Sequence, residues 1–168
     1  MQNKAIFLDR DGVINEDIGY VYKQEDFIFT DGVFEALKYF QKCGYLLFIV
    51  TNQSGIARGY YSENDFLSLS QYMLKEFNDN GITITKIYYC PHSPETNCKC
   101  RKPNPKMLLD AKKEFNINMS VSWLIGDKIS DIEAGLRAGV KNLIYIGEEE
   151  CANAHNIKSL KESMKFVL

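Results

Sequence analysis

Short apolar runs that break off abruptly into polar residues recur along this chain, and they constrain its fold more than any other feature. Ala5-Ile6-Phe7-Leu8 ends in Asp9-Arg10-Asp11-Gly12, the pattern of a strand buried on both faces that delivers its last residues into a loop. Tyr45 to Val50, Ile82 to Tyr89, Ser122 to Ile125 and Asn142 to Ile146 read as further strands. Between them the apolar spacing becomes that of a helix. Residues 32 to 43 carry Val33, Leu37 and Phe40 before Gly44 stops the pattern. Ser62-Glu63-Asn64-Asp65 is a hydroxyl cap with an acid three residues on, ahead of Phe66, Leu69, Met73 and Phe77. Asn104-Pro105 offers a cap and a first-turn proline, and Ser130 to Ala138 closes at Gly139. Strands and helices alternate, which specifies an α/β fold with a doubly wound parallel sheet. The tail from Ala152 to Leu168 is expected to give one or two helical turns and then a short edge strand.

A chain of 168 residues with 45% hydrophobic content can bury one ordinary core, so residues 1–168 are read as a single domain. The formal charge of −2, with Lys and Arg scattered, provides no basic field for a nucleic-acid backbone. The apolar runs are strand-sized, and the N-terminus lacks a basic region followed by a cleavage site. The expectation is a cytoplasmic protein, monomeric by default, with no membrane and no nucleic-acid partner.

In open α/β sheets ligands bind beyond the carboxyl ends of the strands. The polar residues at those ends form a coherent set: Asp9 and Asp11, Thr51 and Asn52, Lys102, and Asp127. An oxygen-rich group of this kind suits Mg²⁺, with Asp9, the Asp11 main-chain carbonyl and Asp127 as expected ligands. A phosphate monoester beside that cation would meet the Asp9 carboxylate in line, while the Thr51 hydroxyl and the Lys102 ammonium neutralise the transferred group. Asp9 is then the nucleophile, and Asp11 the acid and base for leaving group and water. A calcium loop of the D-x-[DN]-x-[DN]-G kind does not fit, because Gly12 follows the second acid directly and the motif follows a strand.

Cys90, His92, Cys98 and Cys100 supply three thiolates and an imidazole on one short polar loop, the count of a closed tetrahedral Zn²⁺ site. The loop has almost no apolar residues to bury its cysteines, and Cys98 and Cys100 are too near for a relaxed disulfide. Ordering such a loop costs about 1 to 2 kcal/mol per residue in backbone entropy, which a structural ion would offset. Cys43, Cys151 and His155 have no evident partners and receive no role.

Phe7-Leu8-Asp9-Arg10-Asp11-Gly12, Val50-Thr51-Asn52, Arg101-Lys102-Pro103 and Gly126-Asp127-Lys128-Ile129-Ser130-Asp131 resemble the four motifs of haloacid-dehalogenase-like phosphatases over nearly the whole chain. The resemblance implies a Rossmann-like sheet and an aspartyl-phosphate mechanism. One departure is Val13, where that family commonly has Thr and its hydroxyl. The spacings leave no room for a large cap domain, so specificity must come from short loops. Those loops carry Asp17, Gly19 and Tyr20, then Asn52 to Gly59, then Arg101 and Lys128, which suggests a hydroxylated ligand with a second anion. Arg58 reads as a solvated loop residue, and Arg101 as the first candidate for the anion.

Gly19-Tyr20, Thr51-Asn52-Gln53-Ser54-Gly55-Ile56-Ala57-Arg58-Gly59 and Ile87-Tyr88-Tyr89-Cys90-Pro91-His92 are similar, within the zinc-loop branch, to the D-glycero-D-manno-heptose 1,7-bisphosphate 7-phosphatases. That likeness implies removal of the 7-phosphate in nucleotide-activated heptose synthesis for bacterial surface glycans such as lipopolysaccharide. It also implies substrate contacts from Asp17, Gly19, Tyr20, Asn52, Gln53, Ser54, Arg101 and Lys128. The nearest alternative is histidinol-phosphate phosphatase, a relative with a similar zinc loop, against which the Gln53 to Gly59 run argues. A non-catalytic binding domain would predict an eroded nucleophile, acid/base or metal carboxylate, and none is eroded.

Overall fold

The computed structural model describes residues 1–168. Six parallel strands form one sheet: β1 (Ala5–Leu8), β2 (Leu46–Asn52), β3 (Lys86–Cys90), β4 (Trp123–Gly126), β5 (Asn142–Ile146) and β6 (His155–Ile157). Their order is β3-β2-β1-β4-β5-β6. The chain therefore builds outward from β1 in one direction and then, from β4, in the other, so β1 and β4 flank the switch point. Leu8 stands opposite Ile125, and the Asp9 N–H donates to the Ile125 carbonyl at 3.1 Å. This places the residues after both strands side by side.

Four α-helices cover the two faces: α1 (Val33–Lys42), α2 (Glu63–Asp79), α3 (Lys106–Phe115) and α4 (Ile129–Ala138). Every side chain of β1 is fully buried because successive residues serve opposite faces. Ile6 and Leu8 join the core with α1 and α2, while Ala5 and Phe7 join the core with α3 and α4. Phe7 stacks on Phe48 of β2 at 5.4 Å between ring centroids. Each such buried ring contributes about 2 to 3 kcal/mol of transfer free energy. Val13 lies in the first core with no exposure, so an apolar side chain occupies the place of the family's hydroxyl. No helix is long and apolar enough to cross a membrane.

The expected elements appear with three corrections. Strand β3 begins at Lys86, not Ile82. The Ile82 N–H bonds the Phe77 carbonyl at 2.9 Å, and the Thr83 N–H bonds Gln41 Oε1 at 2.8 Å, so the segment is held by helix ends before it can pair. Asn104 does not cap α3, because its Nδ2 donates to the Cys98 carbonyl at 3.1 Å; Pro105 takes the N-cap place without a side-chain bond. The tail reverses the expected order. β6 comes first, and a 3₁₀ helix over Leu160–Lys165 follows, packing Leu160 and Val167 into the first core. By contrast the α2 cap forms as read, with Asp65 N–H on Ser62 Oγ at 3.0 Å and Ser62 N–H on Asp65 Oδ2 at 2.8 Å.

Candidate active site

Beyond the carboxyl ends of β1, β2 and β4 lies a cavity of about 300 Å³ lined by 15 residues, of which only Tyr20 and Tyr61 are hydrophobic. Its wall is thus suited to hydroxyl and phosphate groups. Asp9, Asp11, Lys102, Asp17, Gly19, Tyr20, Asn52, Gln53, Ser54, Arg101 and Lys128 all line it. Thr51 is 1% exposed and does not reach the wall; it lies under Gln53, whose Nε2 donates to the Thr51 hydroxyl at 2.8 Å. Arg58 is exposed and stays off the wall, with Nε 3.5 Å from Ser54 Oγ.

Lys102 enters this site almost completely buried. Its ammonium meets Asp9 Oδ1 at 3.0 Å, Asp131 Oδ1 at 2.6 Å and the Val50 carbonyl at 2.7 Å, one acceptor for each hydrogen. Burial opposes its charge, but Asp131 and Asp9 outweigh that and hold its pKa above the usual lysine range. Asn52 fixes the Lys102 backbone on both sides, accepting from its N–H at 3.0 Å and donating to its carbonyl at 3.2 Å. The Asn52 amide is therefore engaged with protein, although it borders the cavity.

Asp131 was not assigned from the sequence. It lies in the first turn of α4, four residues after Asp127, and its Oδ2 accepts the Lys128 N–H at 3.1 Å. An acid four residues beyond a strand-end acid, in the first turn of the helix that follows, is the signal that could have found it. Tyr61, Gly55 and Ser130 also line the wall without having been assigned.

Oxygens of Asp9, Asp127 and Asp131 lie within 4.8 Å of one another. Burial and then the neighbouring Asp131 push the Asp9 pKa up. Burial and then Asp9 push Asp127 up to about 8. Such crowding of anions is relieved by a cation, and Asp127 Oδ1 is buried with no hydrogen-bond partner. Gly12 admits this approach: a Cβ there would stand 2.0 Å from Asp127 Oδ2, and its φ of +87° suits glycine. The donor set, its excess negative charge and the orphaned oxygen fit a hard divalent ion.

At the end of β3 and on the loop after it, the ligand atoms of three cysteines and one histidine, Cys90, His92, Cys98 and Cys100, also lie within 4.8 Å of one another. His92 Nδ1 is 3.4 Å from Cys90 Sγ and 3.2 Å from Cys100 Sγ, and Cys90 Sγ is 3.5 Å from Cys98 Sγ. None of the cysteines is in a disulfide. Burial opposes ionisation of Cys98, yet the Arg101 N–H and the neighbouring thiols bring it down to about 7, while burial pushes Cys90 up. Three thiols and an imidazole in this arrangement fit tetrahedral zinc.

Residues 12–145 match the haloacid dehalogenase-like hydrolase family. The D-glycero-alpha-D-manno-heptose-1,7-bisphosphate 7-phosphatase of Campylobacter jejuni is 55% identical over 168 residues, covering 99% of this chain and 96% of its own length. The D-glycero-beta-D-manno-heptose-1,7-bisphosphate 7-phosphatase of Helicobacter pylori is 47% identical over 169 residues, covering 98% of each. Among solved structures, the D,D-heptose 1,7-bisphosphate phosphatase of B. bronchiseptica complexed with magnesium and phosphate superposes with a TM-score of 0.89 at 25% identity, covering 98% of this chain and 97% of its own.

Proposed function

Because the chain belongs to the haloacid dehalogenase-like hydrolases, we propose that it removes the 7-phosphate of D-glycero-D-manno-heptose 1,7-bisphosphate through a phosphorylated Asp9. The observation that carries this reading is the arrangement of Asp9, Asp11 and Lys102 around one polar cavity at the switch point of the sheet, with the Asp127 carboxylate within 4.8 Å of that of Asp9. The heptose phosphatases from Campylobacter jejuni and Helicobacter pylori support the choice of substrate.

An oxygen of Asp9 forms a bond to phosphorus as the ester P–O bond breaks. The electron pair leaves with the sugar oxygen, which takes the proton of Asp11. A water oxygen then attacks phosphorus and gives its proton to Asp11, while the bond to Asp9 breaks and inorganic phosphate departs with both side chains restored. Lys102 orients the Asp9 carboxylate and keeps positive charge beside the transferring group. Asp9, the Asp11 main-chain carbonyl and Asp127 would hold Mg²⁺, which when bound offsets the negative charge of the phosphoryl oxygens. Cys90, His92, Cys98 and Cys100 would hold structural Zn²⁺ and so stiffen the loop that carries Arg101 and Lys102. Asp17, Gly19, Tyr20, Ser54, Arg101 and Lys128 are assigned to the sugar and its second phosphate. Residues 1–168 act in this reading as one catalytic domain, a cytoplasmic monomer serving nucleotide-activated heptose synthesis.

The test is phosphate release with Mg²⁺ from both anomers of heptose 1,7-bisphosphate, fructose 1,6-bisphosphate and histidinol phosphate. A heptose anomer should exceed the other compounds by about a hundredfold in kcat/KM. A preference for histidinol phosphate would overturn the substrate, and no turnover of any compound would overturn the enzyme.

A further inference from the structure

Gln53 and Tyr61 take no part in the chemistry above, yet their side chains tie its two halves together. Gln53 is 2% exposed. Its Nε2 donates to the Thr51 hydroxyl at 2.8 Å and to Asp11 Oδ2 at 3.2 Å, and its Oε1 accepts the Tyr61 hydroxyl. This orientation is forced, because Asp11 in its carboxylate form only accepts; the amide nitrogen must face it, and the amide oxygen must face Tyr61. Tyr61 is held in turn by stacking on Tyr22, with centroids 5.3 Å apart and planes at 13°. It also fills the space beside Gly55, where a Cβ would lie 2.2 Å from the ring. Burial pushes the Tyr61 phenol up to about 12, so it remains a donor.

The two oxygens of Asp11 are not equivalent. Oδ1 accepts from Arg10 Nη2 at 2.8 Å and from Asn15 Nδ2 at 2.9 Å, whereas Oδ2 accepts only from Gln53. Oδ2 therefore keeps a lone pair for the proton that moves. The Thr51 oxygen accepts from Gln53 at 2.8 Å and its hydroxyl lies 3.4 Å from the Asn52 carbonyl, so Thr51 anchors the Gln53 amide from below the cavity wall.

We propose that Tyr61 and Gln53, anchored on the buried Thr51 hydroxyl, form a positioning relay that aims Oδ2 of Asp11 at the ester oxygen. Gln53 thus acts through protein groups, in place of the sugar contact that its family resemblance implied. The inference rests on the aspartyl-phosphate reading. In that reaction the ester oxygen takes the proton from Asp11 as its bond to phosphorus breaks, so misaiming Asp11 harms esters whose oxygen leaves as a basic alkoxide. It does little to nitrophenolate, which leaves without a proton.

The experiment compares kcat/KM of wild type and Tyr61→Phe on heptose 1,7-bisphosphate and on p-nitrophenyl phosphate. The sugar ester should lose about thirtyfold and the nitrophenyl ester about threefold, so that the ratio of the two shifts by roughly an order of magnitude. Gln53→Met keeps the Tyr61 stack and should show the same split, so the test does not depend on one variant's folding. A ratio within about twofold of wild type in both variants overturns the relay while leaving the phosphatase intact. Wild type that turns over neither ester overturns the phosphatase reading and the relay with it.

Discussion

Asp127→Asn should make the magnesium-free protein more stable while removing its response to magnesium. Asp127 stands beside Asp9 with a buried, unpartnered oxygen, and its pKa is pushed from 3.8 to about 8. The folded state therefore binds a proton that the unfolded state has released. The penalty is absent below 3.8, grows as pH rises through the window, and is complete above about 8. At pH 7 the upper bound is about 4 kcal/mol, taking 1.36 kcal/mol per pH unit above 3.8. Asp127 is only partly buried, so solvent screening reduces this to about 1 to 2 kcal/mol. For a chain of this length that corresponds to a gain of about 4 °C in Tm. Thermal melts in magnesium-free buffer should show a variant advantage at pH 8 about twice that at pH 5.5. Magnesium at a hundred times its Kd should add about 2.7 kcal/mol to wild type and far less to the variant. A variant that is no more stable than wild type at pH 8, or that magnesium stabilises equally, would refute the crowded-anion account of this site.

Asp9→Asn should abolish phosphate release while the protein still melts cooperatively, because Lys102 keeps its 2.6 Å ion pair with Asp131; measurable turnover would sink the nucleophile assignment. Cys98→Ser should weaken zinc retention and lower Tm, since it removes the cluster's most readily ionised thiol; bound zinc by elemental analysis and a melt together check it, and an unchanged metal content would refute the assignment.

Much of the fold was legible because burial on both faces of a parallel strand leaves a local mark, an unbroken apolar run such as Ala5 to Leu8 that stops where the cavity begins. The capping box at Ser62 and the αL glycine after Ala138 were equally local, and both appear as read. What failed was settled by distant partners. Gln41 and Phe77 captured the residues before β3, the Cys98 carbonyl drew Asn104 away from its cap, and pairing with β5 placed β6 ahead of the final 3₁₀ helix.

The site divides in the same way. Sequence determined which chemical groups stand at the strand ends, because a strand must end where its apolar residues do, and that was enough to nominate Asp9, Asp11, Lys102, Asp127 and the cysteine–histidine loop. Only the tertiary structure decided how those groups are used. Asp131 joins Lys102 because α4 turns it back over the strand end, and Asn52 is directed to the Lys102 backbone. Gln53 bridges Asp11 and Thr51 because Tyr61 fixes its amide from the far side. Hydrogen-bond direction and charge balance depend on which groups meet across the fold, and residue spacing along the chain does not encode those meetings.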